Sequence, residues 1–136
     1  MACTRGKIID QRIAVSAIRH YDPKKEYFTP ERCYITELLN EAGDGTCSIA
    51  QARVLPGVTT QKHALRGIAE RYVILSGTGR VSIGERVDVE LKPMSVVSIP
   101  AGVPQCIKNT GTEDLVFLCI CTPRFAIEAY LNLESV

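Results

Sequence analysis

Short apolar segments recur through the middle of the chain and are cut off at close intervals by Gly, Pro and Asn. Residues 48–55 (SIAQARVL) alternate small or apolar positions with polar ones and end at Pro56-Gly57. Residues 72–75 run into Ser76-Gly77-Thr78-Gly79, a turn signal, and residues 80–83 run into Gly84-Glu85. Val87, Val89 and Leu91 alternate with Asp88 and Glu90 before Lys92-Pro93, the pattern of a strand with one solvated face. Residues 96–99 close on Pro100-Ala101-Gly102, and residues 105–108 end at Asn109-Thr110-Gly111. Residues 115–122 form a continuous apolar strand that stops at Pro123. Strands at this spacing, with turn chemistry between them, predict an all-β sandwich or barrel.

The ends read differently. Residues 34–39 predict a strand, and Thr29-Pro30-Glu31 has the signature of one helical turn, Thr as cap and Pro at the first position. Phe125, Ala129 and Leu133 recur every four residues with Tyr130 beside them, which predicts a short amphipathic helix packed on the barrel. The expected organisation is one domain. Residues 1–45 form an N-terminal extension on the barrel, 46–123 its core and 124–136 a helical tail.

Composition narrows the function classes. A chain of 136 residues suits a single core that buries about two thirds of the unfolded surface. Sixteen basic against fifteen acidic side chains leave almost no net charge, and no basic block exceeds Lys24-Lys25. Nucleic-acid binding needs a concentrated positive field, so it is not expected. The apolar runs are too short for a membrane span, and MACTRGKIIDQRIAV lacks the apolar centre of a signal peptide. Six cysteines without a CxxC pair then read as reduced thiols of a cytoplasmic protein. Cys119 and Cys121 share a strand face, either as a soft metal pair or, more commonly, as small hydrophobes.

The candidate chemistry lies in KHALRGIAERYVILSGTG, residues 62–79, which holds one of the two histidines. His63 and Glu70 are an odd number of residues apart, so on one unbroken strand they would face opposite ways. Gly67 between them predicts a bend that lets both point inward. An inward glutamate must be paired, bonded or coordinated, because burying a lone carboxylate is costly. Tyr72 shares the Glu70 face and either reaches the same cavity or is a core aromatic. His20 lies in a polar segment and reads as a surface residue. Cys106 should point away from the interior that Gln105 faces. Arg53, Arg66 and Arg71 are candidates for recognising an anion at the mouth.

Gly57, five residues, His63, one residue, Leu65, four residues, Glu70, six residues and Gly77 resemble the first signature of the cupins. Met94, five residues, Pro100-Ala101-Gly102, two residues, Gln105, three residues and Asn109 resemble the second. The resemblance covers roughly residues 52–122 and implies a jelly-roll β-barrel. It also implies a divalent metal inside, held by two histidines and a glutamate from the first signature and a histidine from the second. His63 and Glu70 match. Leu65 replaces one histidine, Gln105 replaces another, and Met94 stands where a turn glycine is usual. The implied site is a weakened one for zinc, nickel, iron or manganese, with His63 and Glu70 as ligands and Gln105 as a poorer third.

Three readings stay open at this point. In the first, a metal-assisted dioxygenase, isomerase or lyase acts on a small polar metabolite. In the second, a non-catalytic cavity binds a small molecule with Gln105, Tyr72 and Leu65 shaping it. In the third, His63 and Glu70 form a metal-free acid–base pair for epimerisation or isomerisation. The resemblance further implies a homodimer, with apolar residues in 8–18 and 34–39 available to cover a sheet edge.

Overall fold

The structure, a computed structural model, describes residues 17–134. The segment read for an export signal and most of the apolar stretch at 8–18 lie outside these residues. Two antiparallel sheets hold nearly all the regular structure, and the all-β jelly-roll expectation is met. The strands are β1 (Tyr27–Phe28), β2 (Tyr34–Leu39), β3 (Ser48–Val54), β4 (His63–Leu65), β5 (Ala69–Ser76) and β6 (Gly79–Ile83). They continue as β7 (Arg86–Leu91), β8 (Val96–Ile99), β9 (Gln105–Asn109), β10 (Leu115–Thr122) and β11 (Tyr130–Asn132). One sheet has the order β1-β2-β3-β10-β5-β8, and the other β11-β4-β9-β6-β7.

The continuous apolar text of β10 is explained by its place between β3 and β5 in the larger sheet. Leu115, Phe117 and Cys121 are buried on it and its remaining residues are half-buried, so neither face of the strand is fully solvated and both take apolar residues. The edge strand β7 shows the converse: only Leu91 of its six residues is buried. Ile74, Ile107 and Leu115 are completely enclosed, one or more from each sheet, and join Val54, Val81 and Phe117 in the main core. Each such aliphatic side chain contributes about 1.5–3 kcal/mol of burial free energy.

The two ends differ from the sequence reading in instructive ways. Thr29 to Arg32 is a tight reverse turn, closed by the Arg32 N–H donating to the Thr29 carbonyl, and it joins β1 to β2. The helical turn of this region lies earlier, at Pro23–Lys25, capped by the Asp22 side chain. At the other end the expected helix is reduced to one 3₁₀ turn, Ile127–Ala129, and the chain continues as β11 against β4. The edge of β4 offers unpaired backbone groups, and pairing with it satisfies more of them than a further helical turn would. The apolar positions still serve packing: Phe125, Ala129 and Tyr130 sit on a second small core of Leu65, Ile68 and Cys121. Among the described residues no helix is long and apolar enough to cross a membrane.

Two turns fix the ends of the strands that matter most. Asn109, fully buried at the end of β9, donates to the Val54 and Glu113 carbonyls at 2.8 Å each and accepts from the Gly111 N–H at 2.9 Å. It ties both sheets to one loop. Replacing it by alanine removes all three bonds from a buried site, and Asn109→Ala is expected to lower unfolding free energy by about 2–4 kcal/mol in denaturant titration. Lys92 to Ser95 form a turn closed by the Ser95 N–H on the Lys92 carbonyl, with Pro93 second and Met94 third. Met94 has φ +72 and is exposed. A type II turn demands this conformation at its third position, where glycine is free of the Cβ penalty. Met94→Gly is therefore expected to stabilise the fold by about 1 kcal/mol, read as a rise of several degrees in melting temperature.

Candidate active site

The bend expected between His63 and Glu70 carries the chain from one sheet to the other. Gly67 has φ +72 at the crossing, and a Cβ there would meet nothing within 4 Å. Glycine is needed for its backbone, not for space. Because β4 and β5 belong to opposite sheets, the odd spacing now brings both side chains to one cavity. His63, Leu65, Glu70 and Tyr72 all line it.

Each polar residue is set by a cross-strand partner. Gln105 on β9 stands opposite His63 on β4, and Cys121 on β10 stands opposite Glu70 on β5. Cys119 is opposite Tyr72 in the same ladder. The alternation along β9 buries Gln105, Ile107 and Asn109 and turns Cys106 away, as its position after Gln105 requires. His20 is exposed.

His63 is held from three sides. Its Nδ1 lies 2.8 Å from the Gln61 carbonyl, which can only accept, so Nδ1 carries the proton and donates. The ring stacks on Tyr130, centroids 4.8 Å apart and planes 15° from parallel. The Tyr130 hydroxyl donates to the Gln61 side-chain oxygen at 2.7 Å, so one glutamine positions both rings. Nε2 is left as the imidazole's working atom.

Glu70 is buried, and one of its oxygens, Oε1, has no hydrogen-bond partner. The other, Oε2, accepts weakly from the Cys121 thiol at 3.5 Å. Burial raises the pKa of Glu70, and the nearby His63 opposes that rise. The Tyr72 hydroxyl donates to Gln105 Oε1. Burial, reinforced by the charge of Glu70, holds the Tyr72 hydroxyl protonated well above its usual range.

Two participants escaped the sequence reading. Glu31, in the turn between β1 and β2, lines the same cavity; burial raises its pKa, and His63 again opposes the shift. Gln61 is the other. Neither carries a motif, because each reaches the site through a loop whose path only the folded chain defines. None of the arginines considered for the mouth lines the cavity. Arg53 grips Glu26 through Nε and Nη2 and Asp114 through Nη1, and its guanidinium lies 4.2 Å over the Tyr34 ring. Arg71 donates to Thr122, and Arg66 is exposed.

The cavity is about 380 Å³, near the lower end of small-molecule sites. Most of its wall is apolar, including Ile35, Ile107, Phe117 and Phe125. Cys33, Cys119 and Cys121 also line it. Burial raises all three thiols, Cys33 to about 12, and negative neighbours add to the effect.

The donor set can be tested against a metal. Leu65 is buried in the wall and has no lone pair. The oxygen Gln105 would have to supply already accepts from Tyr72. Among the described residues no group of three or more His, Cys, Asp or Glu is placed to hold an ion. Two strong donors remain, His63 Nε2 and Glu70 Oε1, against the three protein ligands usual at a catalytic zinc. As it stands, this set does not fit a resident transition metal.

Residues 51–121 match the family model described as "Cupin domain". Solved structures with the same fold include the TT1209 protein of Thermus thermophilus, at 23% identity and TM-score 0.65, covering 79% of this chain and 100% of that one. A predicted oxalate decarboxylase of Thermotoga maritima superposes with TM-score 0.70 at 23% identity, covering 79% and 99%. KdgF of Halomonas sp. gives TM-score 0.70 at 11% identity, covering 80% and 96%. At these identities the likeness shows the fold alone. No curated protein matches the chain.

The raised pKa of Glu70 has a consequence for stability. A carboxyl whose folded pKa lies above its unfolded value near about 4.3 favours the fold while protonated, and that contribution is lost as pH rises through the folded pKa. Glu70→Gln cannot titrate. Its melting temperature minus that of the wild type should lie near zero at about pH 4 and become increasingly positive toward about pH 8. A difference that stays flat with pH would mean the carboxylate is not desolvated.

Proposed function

The chain belongs to the cupin family, and from that premise we propose that its cavity binds one small organic molecule, with His63 and Glu70 acting as a metal-free proton-transfer pair. The observation that carries this reading is Glu70 Oε1, a buried polar atom with no partner, on a residue that lines a cavity whose walls are otherwise largely apolar. A buried polar atom left unmatched costs about 1–3 kcal/mol, so a ligand that bonds to it regains what the empty site forgoes.

Two acid–base groups of unlike character then share the ligand. With Nδ1–H committed to the Gln61 carbonyl, His63 presents Nε2 as an acceptor. Burial favours the protonated form of Glu70, which suits a general acid. His63 takes a proton from an activated C–H, and Glu70 returns one, to a neighbouring atom in an isomerisation or to the opposite face of the same carbon in an epimerisation. Gln105, bonded by Tyr72, does not itself line the cavity, and its side chain acts on Glu70, favouring the ionised form against burial. The activity named for the Thermotoga relative is not carried over, since the two chains share too little sequence.

A weak metal site is the second reading. Its support is the hydrogen bond from Nδ1 to a backbone carbonyl, the arrangement that metal-ligating histidines also show.

One set of measurements separates the two. Thermal-shift screening of small hydroxy, keto and amino compounds should yield a ligand whose stabilisation is lost in both His63→Ala and Glu70→Ala. Incubated in D₂O, that ligand should exchange a carbon-bound hydrogen with the wild type and not with His63→Ala. Protein purified without an affinity tag should carry substoichiometric metal. Stoichiometric metal that disappears in His63→Ala would overturn the metal-free reading. Supplying the two missing imidazoles, Leu65→His with Gln105→His, should raise zinc or nickel affinity at least about tenfold over the wild type. An unchanged affinity would show that the signature positions do not converge.

A further inference from the structure

The charges around the cavity select among ligands. Its described lining contains Glu31, Glu37 and Glu70, one imidazole, and neither lysine nor arginine. Arg32, Arg53, Lys62, Arg66 and Arg71 flank wall residues in the chain, and none of them lines the cavity; Arg53 is held outside it by Glu26 and Asp114 and Arg32 by Glu134. Arg124 is spent on the Asn40 side chain. An anion entering this space would meet three glutamates and a single imidazole.

A cation meets the opposite situation. Glu31 and Glu70 line one void together with His63, and Glu70 Oε1 has no hydrogen-bond partner there. A positive group placed there meets two acidic side chains and can satisfy Glu70 Oε1. The aromatic wall, including Tyr27, Phe28, Phe117, Phe125 and Tyr130, presents ring surface, which attracts cations through the ring quadrupole.

We propose that the cavity is selective for organic cations: a primary amine or ammonium head that bonds Glu70 and Glu31, carried on an aromatic or branched aliphatic body. The proposal rests on the reading that this cavity is the ligand site and narrows its ligand class.

The test compares matched probes by calorimetric titration at neutral pH. Benzylamine, benzyl alcohol and benzoate form one set; isobutylamine, isobutanol and isobutyrate form the other. Within at least one set, the amine should bind at least about tenfold more tightly than the alcohol, and the carboxylate should not bind measurably. Glu70→Gln and Glu31→Gln, both near-isosteric, should each weaken the amine at least about tenfold while changing the alcohol less than about threefold. Their thermal unfolding reports whether they fold. Carboxylate binding equal to or tighter than the amine overturns the proposal, as does amine binding indifferent to both substitutions. If the alcohol or carboxylate binds instead and His63→Ala abolishes it, the cation preference falls while the cavity stays the ligand site. If no probe of either set binds at millimolar concentration, the proposal falls. If the screen above also yields no ligand, the binding reading falls with it.

Discussion

Everything inside this protein depends on one crossing. At Arg66 to Ile68 the chain leaves the smaller sheet and enters the larger, and it turns there through a residue with a left-handed backbone, Gly67. Without that crossing, His63 and Glu70 would be consecutive features of one strand on opposite faces. With it they become two walls of the same space. Each is then backed by a neighbouring strand: Gln105 opposite His63, Cys121 opposite Glu70. The site is thus built by sheet register, and the register is secured at a distance by Asn109, which pins the end of β9 to β3.

Polar groups in so apolar an interior must be settled one by one. His63 is settled by Gln61 and Tyr130, and Gln105 by Tyr72. Glu70 is an exception, with Oε2 bonded by the Cys121 thiol and Oε1 without a partner, as is the Thr36 hydroxyl on β2. Leu65 sharpens the exception, because an imidazole there would have shared a ligand with Glu70. The departures from the family signature therefore act together. They leave the cavity with fewer metal donors than the signature implies and with one buried carboxylate oxygen unbonded.

The sequence made the scaffold legible and the site partly so. Turn chemistry and short apolar runs define the strands, and the two signatures locate His63, Glu70 and Gln105 by spacing. The inward turn of Glu70 follows from Gly67, which a reader of the chain can see. Glu31 and Gln61 could not be found in this way. Each acts from a loop, and loops carry no periodicity that says where they return. Phe125, Ala129 and Leu133 mislead for a related reason: a four-residue apolar interval satisfies a helix, yet the same stretch packs equally well as a short turn and a strand once β4 offers an open edge. Local pattern and tertiary demand agreed on burial and differed on backbone.

The three thiols in the wall carry a practical consequence. Sulfur reacts with electrophiles and peroxides as thiolate, and burial beside carboxylates keeps Cys33, Cys119 and Cys121 in the inert, protonated form. They act as soft, polarisable paint on the chamber and not as reagents. Alkylation by a thiol-directed label should therefore be slow at these three positions compared with an exposed cysteine.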